Sequence, residues 1–138
     1  MLREILPFIL LLQATYTDIK RREISVMVLL IFGFLSILCL VFGTRINTLD
    51  FILGVMPGIV LAIISIITKG ELGMGDAIVI LVLGAYFGFV EICEILLFAL
   101  LFSALFSILL LIFKRTSLKR EYPFVPFLLG SFIFVRIF

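Results

Sequence analysis

Six runs of apolar residues, 2–17, 24–43, 51–68, 76–90, 92–113 and 122–138, alternate with short stretches that carry the charged and turn-forming residues. A helix needs about 20 apolar residues to cross a bilayer, so the pattern predicts about six membrane helices joined by short loops. The first, fourth and sixth runs are short. Only Glu91 and Glu94 interrupt the join Gly88-Phe89-Val90-Glu91-Ile92-Cys93-Glu94 between the fourth and fifth runs. Without a turn there, one helix would run from 76 to 113, far longer than a bilayer requires, so a turn is expected. The first run also has the outline of a signal peptide, with Arg3 ahead of an apolar core from Ile5 to Leu12 and a small residue at Ala14. The basic cluster Lys20-Arg21-Arg22 directly after it favours a retained span, because such clusters stay in the cytoplasm.

Composition strengthens this reading. Of the 138 residues, 64% are hydrophobic and 14% charged, where a soluble domain carries about 25% charged residues. Six spans leave no length for a soluble domain. The expected fold is all-α, a polytopic membrane protein with about six transmembrane helices, in which residues 1–138 form a single integral-membrane domain. A net charge of +2, scattered along the chain, excludes nucleic acid as a partner. The chain has no histidine, which excludes HExxH zinc chemistry and Ser/His catalysis. Cys39 and Cys93 are too far apart in sequence for a CxxC zinc or redox centre and read as small packing residues. The phenylalanines read as packing and lipid-facing bulk. Chemistry is left to carboxylates, hydroxyls, lysines and backbone, and no metal or organic cofactor is implied.

The basic residues set the orientation. Lys20, Arg21, Arg22, Lys69, Lys114, Arg115, Lys119 and Arg120 fall in the loops after the first, third and fifth runs, and Arg3, Arg45 and Arg136 on the other side. The positive-inside bias then places those three loops in the cytoplasm and both termini outside, as in a multi-pass protein of the cell membrane. Asp18 closes the first span and Asp76 opens the fourth, so both arrive at the cytoplasmic face. Asp50 belongs to the outer end of the third span, and Glu23, Glu71 and Glu121 lie in cytoplasmic loops. Two neighbouring carboxyl groups cannot both ionise cheaply, so they can share a proton, one acting as base on a water and the other as acid toward a carbonyl. Helix dipoles argue for Asp76, at a helix start, as base and Asp18, at a helix end, as acid. The plainer alternative makes each aspartate an interfacial cap solvated by headgroups and water.

The stretch Gly70-Glu71-Leu72-Gly73-Met74-Gly75-Asp76 puts three glycines just before an apolar helix, permitting turns and close approaches closed to other residues. Gly73-Met74-Gly75-Asp76 fits the GxGD motif of membrane aspartyl proteases, and with Asp18 after the first span the whole chain resembles a type IV prepilin peptidase. Gly84-Ala85-Tyr86-Phe87-Gly88 is similar to the family's pattern in that helix, as is Tyr122-Pro123-Phe124-Val125-Pro126-Phe127, where members often read PFGPF.

The resemblance implies that Asp18 and Asp76 are the catalytic pair, supported by the motif glycines Gly73 and Gly75. It also implies that the substrate is a pilin precursor with a short basic leader and an apolar helix, cut on the cytoplasmic side with membrane lipid around it. The chain departs from the family at Ile78, where members often have a lysine. It also lacks the length and cysteines of bifunctional members that methylate the new N-terminus, and so resembles the short, peptidase-only branch. Archaeal preflagellin peptidases share the chemistry, and neither substrate class nor oligomeric state is legible here. A small proton-coupled transporter and a non-catalytic scaffold are the rival readings; acids near span ends rather than at the bilayer midplane weigh against transport. Glu71 and Glu121 read either as attractors of a basic leader or as solvated loop residues. Pro57-Gly58 and Pro123/Pro126 read as broken helices that admit a peptide or as kinks without a role.

Overall fold

A computed structural model describes residues 2–21, 26–41, 47–69, 73–113 and 123–137. Its elements are six helices, α1 (Leu2–Arg21), α2 (Val26–Val41), α3 (Thr48–Ile67), α4 (Met74–Phe87), α5 (Phe89–Ile112) and α6 (Val125–Ile137), with no strand among the described residues. Each falls on one of the six apolar runs. The loops that carry Arg22, Glu23, Arg45, Glu71, Lys114, Arg115, Lys119, Arg120 and Glu121 lie outside the described residues.

α4 is the central element. A helix that is apolar all round must be surrounded, and in α4 Ala77, Val79, Ile80, Val82, Leu83, Gly84, Ala85, Tyr86 and Phe87 are buried. It packs against α1, α2, α3 and α5, while α6 closes onto α1 and α5. Around it the core draws Leu10, Leu11 and Ala14 from α1, Leu29 and Phe32 from α2, Ile92 and Ile95 from α5, and Val125, Leu128 and Phe132 from α6. The outer surface is apolar as well: Leu30 and Phe34 of α2, Ile52 and Val60 of α3, and Leu100 and Leu105 of α5 are exposed. α3 and α5 are long and apolar enough to cross a membrane.

Glycine sets the tightest crossing. Gly54 and Gly84 face each other so closely that a Cβ on either would strike the other's carbonyl oxygen, and one on Gly54 would also lie 2.8 Å from the Cα of Gly88. One turn along α3, Gly58 rests on the backbone of Leu81 in the same way. Small residues four apart let two helix backbones meet without intervening side chains. α3 runs unbroken through Pro57, so Pro57-Gly58 does not divide the helix; Gly58 is a packing surface.

The expected turn between the fourth and fifth runs is present and consists of one residue. Gly88 has φ +83° and ψ −177°, a region essentially restricted to glycine. Its N–H donates to the carbonyl of Gly84 (2.8 Å), and its own carbonyl accepts from Ile92 (3.2 Å). The same residue therefore ends α4 and starts α5, and Glu91 and Glu94 lie inside α5 rather than in the turn.

Polar contacts also tie the bundle. The Tyr86 hydroxyl donates to the buried carbonyl of Phe32 on α2 (2.9 Å). Arg136, in the last turn of α6, reaches Glu91 of α5 at 3.0 Å and Glu4 of α1 at 3.6 Å. Its guanidinium also lies over the rings of Phe87 and Phe132. Glu4, Glu91 and Arg136 thus mark one end of the bundle, and Asp50 lies there too, since a Cβ on Gly88 would stand 3.5 Å from its side chain.

Candidate active site

The opposite end gathers the last turn of α1 and the first turns of α4 and α6. Asp18, one turn after Ala14 on the buried side of α1, is 8% exposed. Asp76 is the third residue of α4 and partly buried. The two carboxylates lie close enough for their charges to repel each other, so threading the chain back and forth does bring these acids to one place. Asp50 is at the far end and takes no part.

Gly73 immediately precedes α4, with its carbonyl accepting from the Ala77 N–H at 3.3 Å. The Asp76 side chain folds back over it: a Cβ on Gly73 would stand 2.9 Å from Oδ2 of Asp76. An empty position at 73 is therefore what lets the carboxylate occupy its place. Gly75 lies within the first turn of α4.

Asp18 has a partner that the sequence reading did not name. The backbone N–H of Val125, the first residue of α6, donates to its Oδ2 at 3.3 Å in a buried setting. The local sequence explains why this amide is available. Pro126 has no N–H, and the Phe127 N–H turns back to the carbonyl of Phe124 at 3.0 Å. Val125 is left to face the acid. Pro123 and Pro126 thus serve a helix start rather than a break, and the signal that could have revealed it is proline at the second position of a helix. The dipole argument for Asp18 changes as well. Asp18 does sit in the last turn of α1, but its carboxylate is capped by the positive end of α6.

Among the described residues, two other candidate groups turn away from the pair. Lys20 turns to Tyr16, donating to its hydroxyl at 3.0 Å and lying over its ring. Ile78 follows Asp76 by two residues, which on a helix points to the other side of the axis, and it packs against the apolar core.

The chain belongs to the type IV leader peptidase family, whose profile it matches over residues 5–112. That segment contains Asp18, Gly73, Gly75 and Asp76 and ends before α6 begins. No curated protein and no solved structure matches the chain. Family membership supports a type IV leader peptidase-like function.

Proposed function

We propose that the protein is an integral-membrane aspartic endopeptidase that removes the cytoplasmic leader from type IV prepilin-like precursors, with Asp18 and Asp76 as its catalytic pair. The observation that supports this best is the meeting of those two carboxylates, from the end of α1 and the start of α4, in a leader peptidase family member. In this reading all six helices span the cell membrane, residues 1–138 act as one domain, and the exposed apolar faces of α2, α3 and α5 meet lipid. The end holding Asp18 and Asp76 faces the cytoplasm.

Hydrolysis needs only the pair and a water. One carboxylate takes a proton from the water as its oxygen bonds to the peptide carbonyl carbon, and the other, protonated, delivers its proton to the carbonyl oxygen, giving a neutral gem-diol. The first then returns its proton to the amide nitrogen as the C–N bond breaks, and the second recovers one from the diol. Both acids end as they began. The apolar helix of the precursor lies among the membrane helices, its basic leader in the cytoplasm, and the scissile bond meets the acids at the interface.

Co-expression with a tagged prepilin, and separately with a preflagellin, tests the reading by mass spectrometry of the mature N-terminus. Cleavage after the leader that is lost in both Asp18→Asn and Asp76→Asn, with each variant still accumulating in the membrane, is the expected result. A variant that still cleaves would refute the two-aspartate chemistry, and processing of preflagellin alone would move the substrate to that class. A scaffold would tolerate Asp76→Asn.

A further inference from the structure

The two aspartates are not equivalent, and the difference comes from α6. Asp18 is buried and accepts the Val125 N–H. Asp76 is partly buried, sits over Gly73, and receives no hydrogen bond from another described residue. An N–H donated at a helix N-terminus favours the charged form of the acceptor twice, through the hydrogen bond and through the dipole behind it. With two acids in mutual repulsion, the one with the donor keeps the charge and the other keeps the proton.

We infer that the Val125 amide is a positioning group that holds Asp18 as the anionic base, leaving Asp76 to carry the proton as the acid. This rests on the peptidase reading above and assigns its steps. Asp18 takes the water proton and later passes it to the leaving amine, and Asp76 protonates the carbonyl oxygen and recovers a proton from the diol. It reverses the division that the dipoles of α1 and α4 alone suggest, because the start of α6 is the nearer dipole for Asp18. It also gives the proline-flanked start of α6 a chemical purpose: Pro126 withholds an N–H, Phe127 spends its own within the turn, and the amide at 125 is left for the acid.

The titratable groups of the described elements packed against Asp18 are as follows. Asp76 is the acid facing Asp18 from α4. Among the described residues α6 contributes Arg136 and α2 only Cys39 as titratable side chains. Arg136 lies at the other end with Glu91, and Cys39 lies beside Tyr86, near the end of α4 remote from Asp76. On α1 itself, Lys20 is turned to Tyr16.

The test removes one N–H from the full-length enzyme. Val125→Pro does so at a helix position that accepts proline, and an ester in place of the amide, made by incorporating 2-hydroxy-3-methylbutanoate at 125, does so while keeping the valine side chain. Steady-state cleavage of a tagged prepilin by the proline and ester forms is compared with wild type, with folding followed by thermal unfolding. In the proline and ester forms, kcat should fall about 10- to 100-fold, the effect of one charge-assisted hydrogen bond, with KM little changed. The acidic limb of their kcat profile should move to higher pH, because a base deprived of its donor takes up its proton more readily. Movement of the alkaline limb instead would make Asp18 the acid, and a folded ester form that turns over like wild type would remove the amide from the mechanism. If Val125→Pro fails to accumulate, the ester decides. Both overturning results leave the peptidase reading intact provided Asp76→Asn is inactive; an active Asp76→Asn would overturn the peptidase reading and this inference with it.

Discussion

Gly54 of α3 and Gly84 of α4 meet backbone to backbone, each occupying the space where the other's Cβ would be. The contact fixes how close α3 lies to the central helix, and α4 carries Asp76 at its start. Neither helix can yield locally, because the opposing atoms are main-chain carbonyls rather than the tips of side chains.

Gly84→Ala should therefore lower stability by at least the 1–3 kcal/mol, roughly, that overpacking costs, and it should reduce the yield of folded protein. Gly130 of α6 is the matched control, since a Cβ there meets nothing within 4 Å. Gly130→Ala should be neutral or stabilising by up to about 1 kcal/mol, the helix propensity difference. Thermal unfolding of both variants in one detergent checks the pair, and similar midpoints would show that the α3–α4 contact is looser than described.

At Gly73 the added methyl meets only the end of the Asp76 side chain. The fold can accommodate it and the carboxylate cannot stay where it is. Gly73→Ala should retain the wild-type unfolding midpoint and lose about 100-fold in kcat, the scale expected when a reacting group is misplaced by an ångström. Single-turnover cleavage beside a melting curve separates the two effects. Full activity in a normally folded Gly73→Ala would mean that the first glycine of the motif does not serve Asp76.

Much of this arrangement was legible in the chain. Six apolar runs gave six helices because few charged residues interrupt them, and the acids at 18 and 76 came together because threading through alternate ends leaves little choice. The GxGD stretch stands at the start of α4. The join after α4 was foreseen but placed too broadly, since the two glutamates drew attention from Gly88, whose backbone makes the turn. Partnerships between distant segments were not legible. The pairing of the glycines at 54 and 58 with α4 depends on helix rotation, and the bond from Val125 to Asp18 spans 107 positions and uses a backbone amide, which no residue type announces. Arg136 was assigned to a side of the membrane without its two carboxylate partners.

Arg136 joins α1, α5 and α6 at the end away from the acids. Its ion pairs are solvent-accessible and each contributes little, while the stacking over Phe87 and Phe132 adds about 0.5–1 kcal/mol. Arg136→Met should cost about 1 kcal/mol in unfolding free energy and leave kcat unchanged. The double variant with Glu91→Gln should cost less than the sum of the single changes, because the two share one interaction. A large loss of cleavage in Arg136→Met would show that the two ends of the bundle are coupled.

In the proposed reading Asp18 and Asp76 repel each other, so the site holds them together at the expense of stability, a common cost of groups kept for function. Asp76→Asn removes the repulsion and leaves the cap on α6 in place, since Asp18 is untouched. It should abolish cleavage and raise the unfolding midpoint. Asp18→Asn also relieves the repulsion, but it replaces a charged acceptor at the start of α6 with a neutral one, weakening the bond from Val125. The two effects oppose each other, and its midpoint should fall below that of Asp76→Asn. Both variants are inactive in this account, so activity cannot tell them apart and stability does. Unfolding curves recorded at neutral pH are the measurement, and equal midpoints would mean that the helix start at Val125 does not distinguish the two acids.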